Sequence, residues 1–105
     1  MMNSSNTKYN KQEVEGYLRN FDSLTQLVLM GGDEEYRITK MDLDQALVKL
    51  QKTNKNLHKT LIGVFVHGTP IQEQAKAMKV SKRQISRRLD DGVHMLTMIM
   101  NGEIL

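Results

Sequence analysis

The 105-residue sequence contains no cysteine, a single proline and only 5% aromatic residues. Without cysteine the chain has neither a disulfide framework nor thiolate chemistry, which suits a reducing cytoplasm. No apolar run approaches the roughly 20 residues of a membrane-spanning helix, and the polar start, Met1 to Lys8, lacks the apolar segment of a signal peptide. The scarcity of proline and aromatics, beside many Lys, Gln, Leu and Met residues, predicts an all-α protein with an aliphatic, methionine-rich core.

Residue groups that carry enzymatic or metal chemistry are also missing. The three histidines share no metal-ligand spacing, so we predict no metal site. Gly31-Gly32 is not followed by the Lys-Ser/Thr pair of a phosphate-binding loop. The adjacent acids Glu34-Glu35 and Asp90-Asp91 would point to different sides of a helix, and no nucleophile accompanies them. We therefore predict that the chain is not an enzyme and uses no cofactor.

Positive charge is concentrated in the second half of the chain, although the net charge is only +3. Up to and including Lys52 there are seven basic and eight acidic residues, whereas the remainder has eight basic and four acidic residues. Between Lys76 and Arg88 six residues are basic and none is acidic. A basic segment of this kind favours a nucleic-acid partner over a general role in solubility.

This basic segment overlaps two predicted helix starts separated by a short turn. Thr69 is a candidate N-cap, with Pro70 in the first helical position and Gln72 as a capping-box partner. Ser81 is a candidate N-cap for the next helix. Because Lys79-Val80 must then form a tight corner, the segment has the pattern of a helix-turn-helix motif, whose second helix lies in a DNA major groove.

The helix that starts at Ser81 has an apolar face and a basic face. At about 100° per residue, Ile85 and Leu89 face the protein body while Arg83 and Arg87 point to the opposite side. Because Arg pairs bidentately with guanine and Gln with adenine, the predicted contacts to base edges are Lys82, Arg83, Gln84 and Arg87. The predicted phosphate contacts, which set the register on DNA, are Thr69, Lys76, Lys79, Ser81, Ser86 and Arg88.

The motif resembles the region-4 helix-turn-helix of bacterial sigma factors, with the residues Ala75, Met78-Lys79-Val80-Ser81, Ile85 and Arg88-Leu89. The resemblance covers about residues 57–96. The whole chain resembles the small phage late-gene regulators of the ArpU/RinA type in size and helical character. Two positions depart from the motif: Lys79 stands where glycine is usual, and Gln74 where an apolar residue is usual. The first departure predicts a positive φ at Lys79.

The resemblance implies a sequence-specific DNA-binding transcription regulator, encoded by a phage or prophage, that reads the major groove and acts as an activator. The implied partners are double-stranded DNA and RNA polymerase, with no membrane involved and a cytoplasmic location. Two alternatives stay open. One is a phage small terminase subunit, and the other is a protein-interaction module that docks on RNA polymerase without touching DNA.

Caps and apolar spacing predict a disordered tail over residues 1–9 and one helical domain over 10–105, with an N-terminal helical part (10–52) and a helix-turn-helix part (57–100). The predicted helices run from Asn10, with Glu13 completing a capping box, to about Leu29; from Thr39 to Leu50; from Leu57 to a stop at Gly68, just past the helix end; through the first motif helix; and from Ser81 to about Met100. Whether the second and third helices are separate or continuous is left open.

The last predicted helix carries apolar residues beyond its core face. Val93, Leu96 and Met100 continue the core face, whereas Met95 and Met98 lie off it. Methionine there can fill irregular gaps in the core, or it can form a surface for a homodimer or higher homo-oligomer.

Overall fold

The computed structural model describes residues 9–103, which form six α-helices and one π-helical segment, with no β-strand in that range. The all-α prediction is therefore confirmed. The helices are α1 (Lys11–Arg19), α2 (Phe21–Leu29), α3 (Glu34–Thr53), α4 (Lys55–Leu61), α5 (Ile71–Met78) and α6 (Lys82–Met100), and the π-helical segment Ile62–Val66 continues α4. None of these helices combines the length and apolar character needed to cross a membrane.

The hydrophobic core lies around α6, which contacts α1, α3, α4 and α5. Its apolar face is buried along almost the whole helix, from Ile85 to Met100. Leu18 of α1, Leu43 of α3 and Leu61 of α4 are fully buried beside it. Helix α6 is thus packed against four other helices. Its exposed face, which includes basic residues, therefore has a fixed orientation relative to the rest of the domain.

Helices α4 and α6 lie close together at Gly92. A Cβ atom added there would lie 2.9 Å from Leu61 Cγ and 3.0 Å from Leu61 Cδ2. Because Leu61 is fully buried, its side chain has little room to move away. Glycine at position 92 therefore lets the two helices cross at short range.

The first predicted helix is in fact two helices, α1 and α2. The Asn10 cap and its capping box with Glu13 are present as predicted. However, α1 ends at Asn20, whose backbone N–H and side-chain Nδ2 both donate to the Gly16 carbonyl, at 3.0 and 2.9 Å. Asparagine competes with the helical ladder in this way, and α2 restarts at Phe21. Apolar spacing alone did not reveal this break.

Tyr9 contradicts the predicted disordered tail at its last residue. The ring is buried, and the hydroxyl donates to Asp42 at 2.6 Å. Its backbone exchanges two hydrogen bonds of 2.9 Å with the Asn101 side chain. The start of the domain is thereby tied to the end of α6, and residues 1–8 lie outside the described residues.

The start of α3 was also predicted wrongly. The helix begins at Glu34, five residues before Thr39, which is buried within it. Glu34 and Glu35 occupy its first turn, where acidic side chains interact favourably with the helix N-terminus. The open question about the next boundary is resolved, since Asn54 separates α3 from α4 and its side chain accepts from the Leu57 N–H at 3.1 Å.

The C-terminal helix ends at Met100 as predicted. Met95 and Met98 are half-buried, and Met95 packs against the core. This placement favours the gap-filling interpretation of these residues over a free association surface at the end of α6.

Candidate nucleic-acid interface

The first helix of the motif, α5, begins at Ile71, so the predicted N-cap at Thr69 and its box with Gln72 are wrong. Pro70 occupies the cap position in an extended conformation, with φ −57° and ψ 144°. The Thr69 N–H instead donates to the Gly63 carbonyl at 2.9 Å. The backbone of Thr69 thus closes the turn that follows the π-helical segment.

The turn of the motif depends on Lys79, which adopts the left-handed conformation with φ 58° and ψ 45°. It is the one non-glycine residue among residues 9–103 with a positive φ. Its N–H donates to the Lys76 carbonyl at 3.2 Å, and the Val80 N–H donates to the Ala75 carbonyl at 3.0 Å. These bonds cap α5 where a glycine is usual. The predicted positive φ is confirmed, at a cost of roughly 1–2 kcal/mol.

Gln74 is buried, although it is a polar residue at a position of the motif where an apolar residue is usual. Its Nε2 lies 3.3 Å from both the Lys59 carbonyl oxygen and Met78 Sδ. The amide packs directly on Gly63, where a Cβ atom would collide with it. A polar residue is therefore accommodated here because its amide has partners and glycine provides the space. These contacts fix α5 against the π-helical segment.

The second helix of the motif, α6, begins at the predicted cap. Ser81 Oγ accepts from the Gln84 N–H at 3.1 Å, and Gln84 Oε1 accepts from the Ser81 N–H at 3.2 Å. This reciprocal pair is a capping box, which the Ser-x-x-Gln spacing could have revealed. Because Gln84 Oε1 is used by the cap, only Nε2 remains for a base, whereas the bidentate contact to adenine needs both atoms.

The outward side of the first turns of α6 is basic. Arg83 and Arg87 are exposed on the side opposite the buried Ile85. Within residues 9–103, neither guanidinium takes part in an ion pair. Both side chains are therefore available to an external anion.

The acid that follows on this side has its own partner. Asp90 Oδ1 lies 2.8 Å from Lys11 Nζ of α1, and this hydrogen bond and charge lower the pKa of Asp90. The pair joins residues 79 positions apart, and no pattern in the sequence indicated it. The pair keeps the Asp90 carboxylate ionised at the point where the basic side chains of α6 end.

The remaining predicted contacts differ in exposure and position. The exposed ones are Lys76, Lys79, Ser81, Lys82 and Ser86, and the half-buried ones are Thr69 and Arg88. Ser86 borders a groove of about 370 Å³ between α1 and α6, which also contains Phe65. Thr69 borders a second cleft, which is lined by residues of α4 and α5 and includes His58. The basic side chains of α6 and the turn thus form one candidate surface, and Ser86 and Thr69 lie at its margins.

Comparison with protein families gives one match. The model of the ECF sigma factor family matches residues 8–91, which include α1 to α5 and the basic end of α6. The chain belongs to the ECF sigma factor family. The searches of curated proteins and of solved structures returned no match.

Family membership confirms that the helix-turn-helix is sigma-like, and it makes the chain a DNA-binding protein of transcription regulation. Members of this family are DNA-binding regulators and not enzymes, and their partners are DNA and RNA polymerase. The basic surface of α6 is the part of this ECF sigma family member that matches such a role most directly.

Proposed function

We propose that this ECF sigma family member is a sequence-specific transcription regulator that places the first turns of α6 in the major groove of promoter DNA. The observation that carries the proposal is the pair Arg83 and Arg87, exposed, without an ion pair among residues 9–103, and opposite the buried face of α6. An N-terminal end of a recognition helix with such side chains can reach base edges while its other face stays in the core.

The proposed contacts are divided between bases and phosphates. Arg83 and Arg87 read base edges together with Lys82, and Gln84 contributes through its Nε2. The phosphates are bound by Lys76, Lys79 and Arg88, with smaller contributions from the hydroxyl groups of Thr69, Ser81 and Ser86.

The acids of α6 set the depth of the insertion. Asp90 and Asp91 are exposed directly after the basic turns, and carboxylates are repelled by the phosphate backbone. DNA is therefore favoured only along the first two turns of the helix. This arrangement fits a helix that enters the groove with its N-terminal end.

We extend the proposal to the biological setting. The sequence resembles small phage late-gene regulators, which supports a phage- or prophage-encoded activator that works in the bacterial cytoplasm. The terminase alternative predicts a ring of subunits. Native mass spectrometry distinguishes the two, because a ring of eight or more subunits would contradict the regulator.

The test is a selection of bound duplexes from a random library, followed by a salt titration on the selected site. The proposal predicts an enriched sequence motif and an affinity that falls linearly with salt on a log–log plot, with a slope of about −0.9 for each phosphate contacted. The proposal would be overturned if no duplex bound measurably at about 50 mM salt, a condition that favours phosphate contacts.

The latter result would favour the second candidate function, a module that docks on RNA polymerase. Family membership supports this candidate as well. Purified polymerase and promoter fragments can be offered separately to the chain. Binding to polymerase alone identifies the docking module, whereas binding to the duplex alone identifies the DNA reader.

A further inference from the structure

Helix α3 is apolar on two opposite sides. Its inner side is buried in the core through Leu43, Ala46, Leu47 and Leu50. On the outer side Ile38, Met41 and Val48 are 40%, 59% and 49% exposed. A helix at the surface of a small domain usually has charged and polar residues on its outer side, so this face requires a different explanation.

The outer residues follow the spacing of a coiled coil. Positions 38, 41, 45, 48 and 52 alternate steps of three and four, which are the a and d positions of a heptad. At about 100° per residue they share a sector roughly 80° wide. We call Ile38, Met41, Gln45, Val48 and Lys52 the outward seam. Two heptads fit on α3, which has 20 residues.

We propose that the outward seam is the interface of a homodimer in which α3 packs, parallel and in register, against α3 of a second copy. The charged residues that flank the seam indicate that its partner is a second copy of the same chain. Arg37 and Asp44 lie on one flank (position g), and Asp42 and Lys49 lie on the other (position e). In a parallel pair each g residue faces the e residue five positions later on the second copy.

In this register every flanking pair is of opposite charge. Arg37 faces Asp42 of the second copy, Asp44 faces Lys49 of the second copy, and the two-fold symmetry repeats both pairs. The same chain therefore provides both the positive and the negative residue of each pair. Such self-complementarity is the property that a symmetric dimer interface requires.

The antiparallel alternative places like charges together. If the residues from Ile38 to Val48 overlap fully in that orientation, Asp42 meets Asp42 and Asp44 meets Asp44 of the second copy. Like charges in these positions repel and set helix orientation. The flanking charges thus select the parallel pair.

The structure also holds these acids in place. The Tyr9 hydroxyl donates to Asp42 at 2.6 Å, and Lys40 Nζ lies 2.8 Å from Asp44 Oδ2. The Asp44 side chain is still 48% exposed, so it can meet a second cation. Because Gln45 and Lys52 are polar seam residues, we expect a weak, reversible dimer with a dissociation constant on the order of micromolar.

Sedimentation equilibrium of the full chain tests whether the seam associates. A concentration-dependent monomer–dimer equilibrium is expected, with association at least about tenfold weaker for Met41→Lys, because a buried charge opposes seam formation. Met30→Lys is the matched control, since Met30 is 80% exposed and lies outside the seam. A wild-type chain that stays monomeric at millimolar concentration, or a dimer insensitive to Met41→Lys, overturns the proposal.

A charge exchange tests the orientation and does not depend on how stable a single variant is. Asp44→Lys alone and Lys49→Glu alone should each weaken self-association, because each creates like-charge pairs across the seam. An equimolar mixture of the two variants should associate more tightly than either one alone, because opposite charges then face each other on both flanks. A mixture no tighter than its components contradicts the parallel register.

A cysteine substitution gives a second test of orientation, which is clean because the chain has no cysteine. In the parallel dimer each position of the seam meets its own copy, so oxidised Lys52→Cys should form a covalent dimer. In the antiparallel overlap the two copies of position 52 lie at opposite ends of the pair. Oxidation that leaves Lys52→Cys uncrosslinked while the chain is dimeric overturns the parallel arrangement. These tests need no DNA, so their outcome is separate from that of the proposed function.

Discussion

The two longest helices, α3 and α6, have 20 and 19 residues and pack against each other in the core. Their outer faces differ. The outer face of α3 exposes Ile38, Met41 and Val48, whereas the first turns of α6 expose Arg83 and Arg87. Both helices contribute to the fold through their inner faces, so the outer faces determine which partner each can bind.

The N-terminal helices and the start of α6 also differ in whether their charged side chains form ion pairs. In the N-terminal helices Arg19 pairs with Glu15 at 3.0 Å and Lys40 with Asp44 at 2.8 Å. The arginines at the start of α6 have no such partner within residues 9–103. Paired charges on an exposed helix mainly stabilise that helix slightly. Arginines that lack an internal partner remain available for phosphates and bases.

The largest effect on stability should come from truncating a buried side chain on the inner face of α6, which packs against α3. Leu96 is fully buried, so Leu96→Ala should destabilise the domain by about 2–5 kcal/mol through lost burial and a cavity. Urea unfolding measures this, with Met30→Ala as the exposed control expected within about 0.5 kcal/mol of wild type. Equal stability of the two variants would show that α6 is not part of the core.

A substitution on the outer face of α6 should weaken DNA binding without changing the stability that the inner face provides. Arg87→Ala should lose roughly 1–3 kcal/mol of specific DNA binding if the guanidinium reads a base, with the unfolding midpoint unchanged because the residue is exposed. Anisotropy titration on the selected duplex provides the measurement. The control is Lys55→Ala, which removes one exposed positive charge from α4, and affinities equal for both variants would remove Arg87 from the interface.

A substitution in the turn between α5 and α6 should change the free energy of unfolding by less, and it should stabilise the chain. Lys79→Gly should stabilise the chain by up to about 1 kcal/mol, because glycine adopts the left-handed conformation without strain. The same substitution should reduce the salt slope of DNA binding by about 1 if Lys79 contacts a phosphate. A lower unfolding midpoint would contradict the left-handed backbone at this position.

The smallest effect concerns the exposed pair Lys11–Asp90. Lys11 lowers the pKa of Asp90 below its ordinary value of 3.8. A carboxyl with a lowered pKa contributes stability above the unfolded-state pKa, and this contribution disappears as the pH falls through the folded-state pKa. NMR titration of the Asp90 carboxyl should show the low pKa in the wild type and a return towards 3.8 in Lys11→Ala. An unchanged pKa in that variant would show that the pair is not formed.

The features of the helix-turn-helix that were predicted correctly are local ones. The Ser81 cap uses a residue three positions away, and the positive φ of Lys79 follows from a tight turn without glycine. Such signals are complete within a few residues of sequence. The end of α6 at Met100 was also predictable, because its apolar spacing continues unbroken to that residue.

The features predicted wrongly depend on competition or on distant contacts. Asn20 ends α1 by a side-chain bond that opposes the apolar spacing around it. Tyr9 is ordered by Asn101, 92 positions away. Thr69 has the composition of an N-cap, but its backbone is held by Gly63 after the π-helical segment. No short stretch of sequence contains both Tyr9 and Asn101. Gly63 and Thr69 are only six positions apart, but their hydrogen bond follows from the π-helical segment between them, which apolar spacing did not indicate.

Site-directed DNA cleavage shows whether the N-terminal end of α6 lies in the groove. Because the chain has no cysteine, an iron chelate can be attached at one engineered position, either Asp91→Cys beside the basic turns or Lys52→Cys at the end of α3. If this end of α6 enters the groove, we expect cleavage within the selected site from position 91 and none from position 52. Cleavage from position 52, or a bound duplex left uncut from position 91, would contradict it.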